Sequence, residues 1–189
     1  MWAHQYGGDL VITIDDEPAA NRVVVSTGPI CTNAHYVAVG CAPWYQTRAG
    51  MRLCRFDASL AAVTLPSMDY WFYSCTDLQM ATGWENVRGL ASMRMAFNGC
   101  TSLGALYLMG FDPSALRDLF YAFALCTSLE VIYVDSTWVL PAGCTGMATF
   151  YNCTKLVGGN GTTYSSAATN AVMAVIDCAG IPGYLTVAS

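Results

Sequence analysis

The sequence predicts an α/β solenoid, a stack of short parallel strands and helical turns, and three observations carry that expectation. One phrase recurs four times: Phe72-Tyr-Ser-Cys75-Thr76-Asp-Leu78, Phe97-Asn-Gly-Cys100-Thr101-Ser-Leu103, Phe123-Ala-Leu-Cys126-Thr127-Ser-Leu129 and Phe150-Tyr-Asn-Cys153-Thr154-Lys-Leu156. Its cysteines step by 25, 26 and 27 residues, a period at which each unit is too small to bury its own core and must lie against its neighbours. The apolar period also switches within a unit. After each Cys-Thr, Leu103, Leu106 and Leu108, or Leu129, Ile132 and Val134, end in the alternation of a strand; before each Phe, Leu90, Met93 and Phe97, or Leu116, Leu119, Phe120 and Phe123, follow helical spacing. Finally, 11% of residues are charged and 54% hydrophobic, so most of the chain is buried and a disordered reading is excluded.

Taken in order, residues 1–50 read as a β-rich N-terminal cap. Two β-branched runs, Asp9–Ile14 and Arg22–Ser26, flank the acidic turn Asp15-Asp16-Glu17-Pro18 and predict a hairpin, broken afterwards by Gly28-Pro29. His35–Val39 and Pro43-Trp44-Tyr45 either add strands or start the stack. Residues 51–157 form the repeats, beginning with a degenerate one in which Met51, Leu53, Phe56 and Asp57 align with Leu106, Leu108, Phe111 and Asp112. Asp112-Pro113-Ser114 supplies a cap and a first-turn proline for a helix ending near Phe123. Trp138, Pro141 and Gly143 make 136–150 irregular. Residues 158–189 read as a helical C-terminal cap, with a tight turn at Gly158–Gly161 and helical spacing at Ala168, Val172, Val175 and Ile176.

Strand, turn, helical turn and loop repeating about every 26 residues is the leucine-rich-repeat plan. The run Met93 to Leu103 followed by Phe111-Asp112 resembles the 26-residue repeat of the BspA-like leucine-rich-repeat family of bacterial surface proteins. The tail, Leu156 to Tyr164 followed by Ile176-Asp177 and Pro182-Gly-Tyr184, resembles the way such arrays finish. The resemblance covers residues 50 to 186. It implies an extracellular location on a bacterial cell surface and a role in adhesion, and it is nearly silent about the ligand.

Several functions are excluded on chemical grounds. A net charge of −5 with only eight scattered Lys and Arg residues makes no patch for nucleic acid. Membrane insertion is not expected, because no run of about 20 apolar residues occurs. Met1-Trp2-Ala3-His4 has neither the basic start nor the apolar run of a signal peptide. The chain is therefore expected to be a segment of a longer secreted protein, or to reach the outside as a phage virion or tail protein does.

Nine cysteines raise the question of disulfides, but repeat cysteines at equivalent positions about 4.8 Å apart fit a bridge poorly. They read as small buried hydrophobes, reduced and protected, with any bridge left to Cys31, Cys41, Cys54, Cys144 or Cys178. No Cys-x-x-Cys, His-x-x-x-His or Glu-x-x-His spacing calls for a metal, and no cofactor is expected. Cys31 with His35 lacks an orienting carboxylate and reads as a packing cysteine beside a solvent histidine. Asp15, Asp16 and Glu17 do not supply the six to eight alternating oxygens of a calcium loop. No enzyme is expected.

What remains is a surface. Residues between the inward apolar positions point outward and align from repeat to repeat, giving three files: Met80, Ala105 and Val131; Thr82, Tyr107 and Tyr133; Trp84, Met109 and Asp135. The aromatic strip of Thr82, Trp84, Tyr107, Met109, Tyr133 and Asp135 is the candidate ligand-binding site, since Trp, Tyr and Met are enriched in interface cores. The expected function is a non-enzymatic adhesion module that recognises a protein or glycan receptor through this strand face. The alternative is a structural or assembly domain of a phage particle or larger surface protein, in which the low-charge surface self-associates.

Overall fold

Tyr6-Gly7-Gly8-Asp9 makes the first turn in the computed structural model, which describes residues 2–13, 26–29, 42 and 44–189. Gly7 takes a positive φ of 59°, and the hairpin joins β1 (Trp2–Tyr6) to β2 (Asp9–Thr13). A two-glycine loop between strands is a strong hairpin signal. β2 thus takes β1 as its antiparallel partner. β3 (Ser26–Pro29) pairs with the other edge of β1, so Gly28-Pro29 continues a strand instead of breaking one. The acidic turn at 15–18, His35–Val39, Cys31, Cys41 and most of Arg22–Ser26 lie outside the described residues.

Parallel strands follow. β4 (Leu53–Phe56) adds to β2, and β5 (Met80–Thr82) adds to β4, completing a five-stranded mixed sheet. β6 (Ala105–Tyr107), β7 (Val131–Val134) and β8 (Leu185–Val187) form a second, wholly parallel sheet of three. β6 lies beside β5 without continuous pairing, where the Thr76 carbonyl accepts from Ser102 N at 3.1 Å.

The expected α/β solenoid of strands and helical turns is corrected by this structure. Its regular secondary structure is two small sheets, and the helical segments among the described residues are 3-10 turns, the longest being Ala58–Ala62 with five residues. The helical C-terminal cap is not formed either: Ser165–Ile176 holds one 3-10 turn, Ala171–Met173.

The physical reason lies in the backbone before each repeat cysteine. An α-helix closes each N–H on the carbonyl four residues back. Here alternate N–H groups leave the segment: Phe72 N donates to Ala96 O at 2.8 Å, Phe97 N to Ala122 O at 2.8 Å and Phe123 N to Thr149 O at 2.9 Å. Those between close short turns, as Cys75 N does on Phe72 O at 3.0 Å. Parallel bridges Ser67 to Ser92, Ser92 to Asp118 and Asp118 to Thr145 extend the lateral contact. Apolar spacing of three and four residues is satisfied equally by this ribbon of turns, which is why it read as helix.

The ribbon requires left-handed residues on both sides of its phenylalanines: Tyr70 and Ser74, Tyr121 and Leu125, Ala148 and Asn152 all have positive φ. An L side chain in this conformation costs about 1–2 kcal/mol, and Asn tolerates it best after Gly. Leu125, with φ 62°, is 39% exposed, so its side chain gains little to offset that cost. Leu125→Asn is expected to stabilise the protein by about 1 kcal/mol, read as a rise in the urea midpoint with unchanged slope; a fall in midpoint contradicts the assignment of strain.

Two aromatic rows and a sulfur row fill the interior. Phe72, Phe97, Phe123 and Phe150 stack with ring centroids 5.0, 5.9 and 5.6 Å apart. Phe56, Trp84, Phe111 and Trp138 form the second row at 4.9, 5.7 and 6.1 Å. Cys75, Cys100, Cys126 and Cys153 are buried and unbridged, and three of them donate to a backbone carbonyl: Cys100 Sγ to Phe72 O at 3.1 Å, Cys126 Sγ to Phe97 O at 3.1 Å and Cys153 Sγ to Phe123 O at 3.0 Å. The thiols are therefore weak donors to the preceding repeat as well as small hydrophobes. Cys54, Cys144 and Cys178 are also free.

Candidate functional site

The inward strand residue falls six positions after each of the first three repeat cysteines, at Ala81, Leu106 and Ile132, and Cys54 pairs with Ala81 in register. Alternation then turns the neighbours outward. Leu53 and Met80 are exposed and share one file with Ala105 and Val131; Arg55, Thr82, Tyr107 and Tyr133 share the next. This corrects the alignment of Leu53 with Leu108, because Leu53 faces solvent at 41% exposure whereas Leu108 is buried. Phe56 and Asp57 do match Phe111 and Asp112, for each aspartate caps a 3-10 turn by accepting from Ser59 N at 3.0 Å or Ser114 N at 2.9 Å. Those hydrogen bonds, from backbone N–H first and hydroxyl after, hold both carboxyls below their ordinary range, although burial slightly opposes them.

The second file forms the core of the candidate site. Tyr107 and Tyr133 pair across β6 and β7 and stack with ring centroids 5.2 Å apart and planes 19° from parallel. Tyr107 and Met109 are exposed, and Tyr133 is half-buried. With Ala188 and Ser189 they line a shallow depression of about 240 Å³. Thr82 is half-buried, its hydroxyl 3.5 Å from Cys54 O.

The third expected file is not brought together. Trp84 is 1% exposed, sits in the aromatic row between Phe56 and Phe111, and donates its indole N–H to Ala81 O at 3.0 Å. The distance from inward strand residue to core aromatic grows along the chain, from Cys54–Phe56 and Ala81–Trp84 to Leu106–Phe111 and Ile132–Trp138, so a constant count from the strand misplaces the tryptophan. The signal available was the pair Gly83-Trp84 matching Gly110-Phe111. Both glycines have positive φ, and a Cβ at Gly83 would collide with the Phe56 carbonyl. Asp135 is half-buried and accepts from Gly110 N at 2.6 Å; it fixes the turn beside the strip.

Several titratable groups are committed elsewhere. Burial pushes the Cys75 and Cys153 thiols up to about 12 and raises those of Cys54, Cys100 and Cys126 well above the ordinary thiol value too, which removes them as nucleophiles. His4 is buried on β1. Asp177, at 6% exposure, accepts from Asn160 N (2.8 Å), Thr162 N (2.9 Å), Thr162 Oγ1 (2.6 Å) and Gly183 N (3.3 Å). Burial works to raise its carboxyl, but those hydrogen bonds together hold it below the ordinary range. Among the described residues no His, Cys, Asp or Glu cluster has metal-binding geometry, and no helix is long and apolar enough to cross a membrane.

Two surfaces escaped the sequence reading. Arg94 lies over the Phe120 ring at 4.3 Å and pairs with Asp118 at 3.0 Å, on the turn-ribbon side that also carries Tyr70, Tyr73, Tyr121 and the exposed Tyr151. A groove of about 520 Å³ in the irregular repeat is lined by Leu140, Cys144, Met147, Val172 and Val175 among others. Side chains on a ribbon taken for helix were assigned no common face, so neither patch was visible. No family model matches the chain, and neither a curated protein nor a solved structure does.

Proposed function

We propose that this protein is a non-catalytic binding module that contacts a protein or glycan through the outward face of its parallel strands, with Tyr107, Tyr133 and Met109 at the centre. One observation carries the reading: two stacked tyrosines, Tyr107 exposed and Tyr133 half-buried, stand side by side on paired parallel strands. Aromatic side chains held by neighbours lose little entropy on binding and offer a large apolar area with a polar tip. The resemblance of the Met93–Leu103 phrase to BspA-like repeats supports a location outside a bacterial cell, on its surface or on a phage particle.

Fluorescently labelled protein, applied to a printed glycan array and to immobilised protein panels, tests the reading. Tyr107→Ser with Tyr133→Ser is expected to lower any retention at least tenfold while the urea midpoint moves little. Retention that the double variant keeps in full removes the strand face from the site.

A further inference from the structure

The sequence holds two Asn-Gly pairs, Asn98-Gly99 and Asn160-Gly161. An asparagine before glycine is open to cyclisation, because glycine has no side chain to keep its backbone nitrogen away from the amide carbon that precedes it. The fold treats the two pairs in opposite ways. Asn98 is buried, its carbonyl accepts from Ser74 N at 2.8 Å, and Gly99 N donates across repeats to Ala124 O at 2.8 Å. Asn160 and Gly161 are exposed, the space beside Gly161 is open, and Gly161 N closes only the local turn onto Gly158 O at 3.0 Å. Cyclisation has to free the glycine nitrogen and swing the side chain over it. At Asn98 that means opening the ribbon; at Asn160 it means opening one turn.

The same turn is latched to its surroundings through its backbone. Asn160 N and Thr162 N reach a single Asp177 oxygen, at 2.8 and 2.9 Å. Gly159 lies so near Thr186 of β8 that an added Cβ would stand 3.2 Å from its methyl carbon. The latch therefore depends on the number of main-chain atoms between residues 160 and 162.

We propose that Asn160-Gly161 is a site of spontaneous backbone rearrangement that unlatches the 158–162 turn from Asp177. Gly161 N attacks Asn160 Cγ, its proton passes to hydroxide, and the new N–Cγ bond closes a succinimide ring. The Cγ–Nδ2 bond breaks as the leaving nitrogen takes a proton from water and departs as ammonia. Water then opens the ring. Cleavage of the new bond leaves aspartate on the original backbone; cleavage between the residue 160 carbonyl carbon and Gly161 N leaves isoaspartate, whose main chain runs through Cβ and Cγ and is one carbon longer. Each conversion consumes one water, releases one ammonia and oxidises nothing. With the extra carbon the two donors no longer converge on one oxygen, whereas the aspartate product keeps both in place.

The test is to hold the full chain folded in mildly alkaline buffer, map its peptides by mass spectrometry over time, and measure the urea midpoint of the aged sample. The expected result is conversion at residue 160, with residue 98 about tenfold slower in the folded protein and the two alike in urea. The midpoint is expected to fall as isoaspartate accumulates, to hold in Asn160→Gln aged alongside, and to stay close to wild type in fresh Asn160→Asp. Both substitutions change an exposed side chain and keep the backbone donors, so the fold survives them. No conversion at 160, conversion at 98 as fast as at 160 in the folded protein, or a preference for 160 undiminished in urea overturns the site. An unchanged midpoint in aged wild type, or a loss as large in aged Asn160→Gln or in fresh Asn160→Asp, overturns the unlatching.

Discussion

Phe97→Ala is expected to cost about 4 kcal/mol of folding stability, the range for deleting a fully buried aromatic ring. Phe97 is wholly buried, stacked on Phe72 at 5.0 Å on one side and Phe123 at 5.9 Å on the other, with Trp84 6.1 Å away. Its backbone N–H also bonds to Ala122 O, and its carbonyl receives both Cys100 N–H at 3.0 Å and the Cys126 thiol at 3.1 Å. Loss of the ring therefore opens a cavity between repeats that the backbone ladder on either side prevents from closing. Phe97→Leu refills part of the space and is expected to cost roughly half as much. Because Phe123 shares the stack, its Ala variant combined with Phe97→Ala should deviate from additivity by about 1 kcal/mol. Urea unfolding of the five proteins, wild type included, gives these differences directly, and a Phe97→Ala cost below about 1 kcal/mol contradicts the interlocked stack.

Asp177→Ala is expected to remove about 3 kcal/mol, the cost of stranding donors that had a charged acceptor. Three backbone N–H groups, of Asn160, Thr162 and Gly183, lose their acceptor together. The turn Gly158–Thr162 and the approach to β8 are pinned through this one carboxylate, and Gly158 lies so close that an added Cβ would collide with the Gly183 carbonyl. The pH dependence follows from the lowered carboxyl. A group whose pKa is depressed by folding stabilises the folded state above its unfolded value, near pH 4, and that contribution disappears as pH falls through the lower folded value. The gap between wild type and Asp177→Ala should hence be full at neutral pH and shrink below about pH 4. A gap that is constant with pH means the charge is not what holds the turn.

Legibility in the sequence was uneven for physical reasons. The recurring Phe-x-x-Cys-Thr-x-Leu phrase revealed repeat length, strand positions and the buried cysteines, because inward apolar residues leave a periodic record. Tyr107 and Tyr133 were legible as outward neighbours by the same alternation. The ribbon before each cysteine was not, since apolar spacing records which side chains are buried and not where backbone N–H groups go. Among its left-handed positions Gly99 and Asn152 display the conformation in their identity; Tyr121 and Leu125 hide it. Trp84 was misplaced because the stretch from strand to aromatic row lengthens from repeat to repeat. The β1–β2 hairpin announced itself in Gly7-Gly8, a signal that the longer β-branched runs downstream outweighed. Asp177 was visible only as one acid in an apolar tail, and nothing nearby in sequence reveals four donors converging on it.

The turn ribbon is what distinguishes this architecture from strands joined by helices, and it is also what sets the repeats side by side so that Tyr107 and Tyr133 meet. Solution NMR of the backbone tests it most directly. The expected spectrum shows amide contacts from Phe72 to Ala96, Phe97 to Ala122 and Phe123 to Thr149, with left-handed chemical shifts at Tyr121 and Leu125. Continuous helical contacts between residues three apart over 116–125, with no cross-repeat contacts, would contradict it.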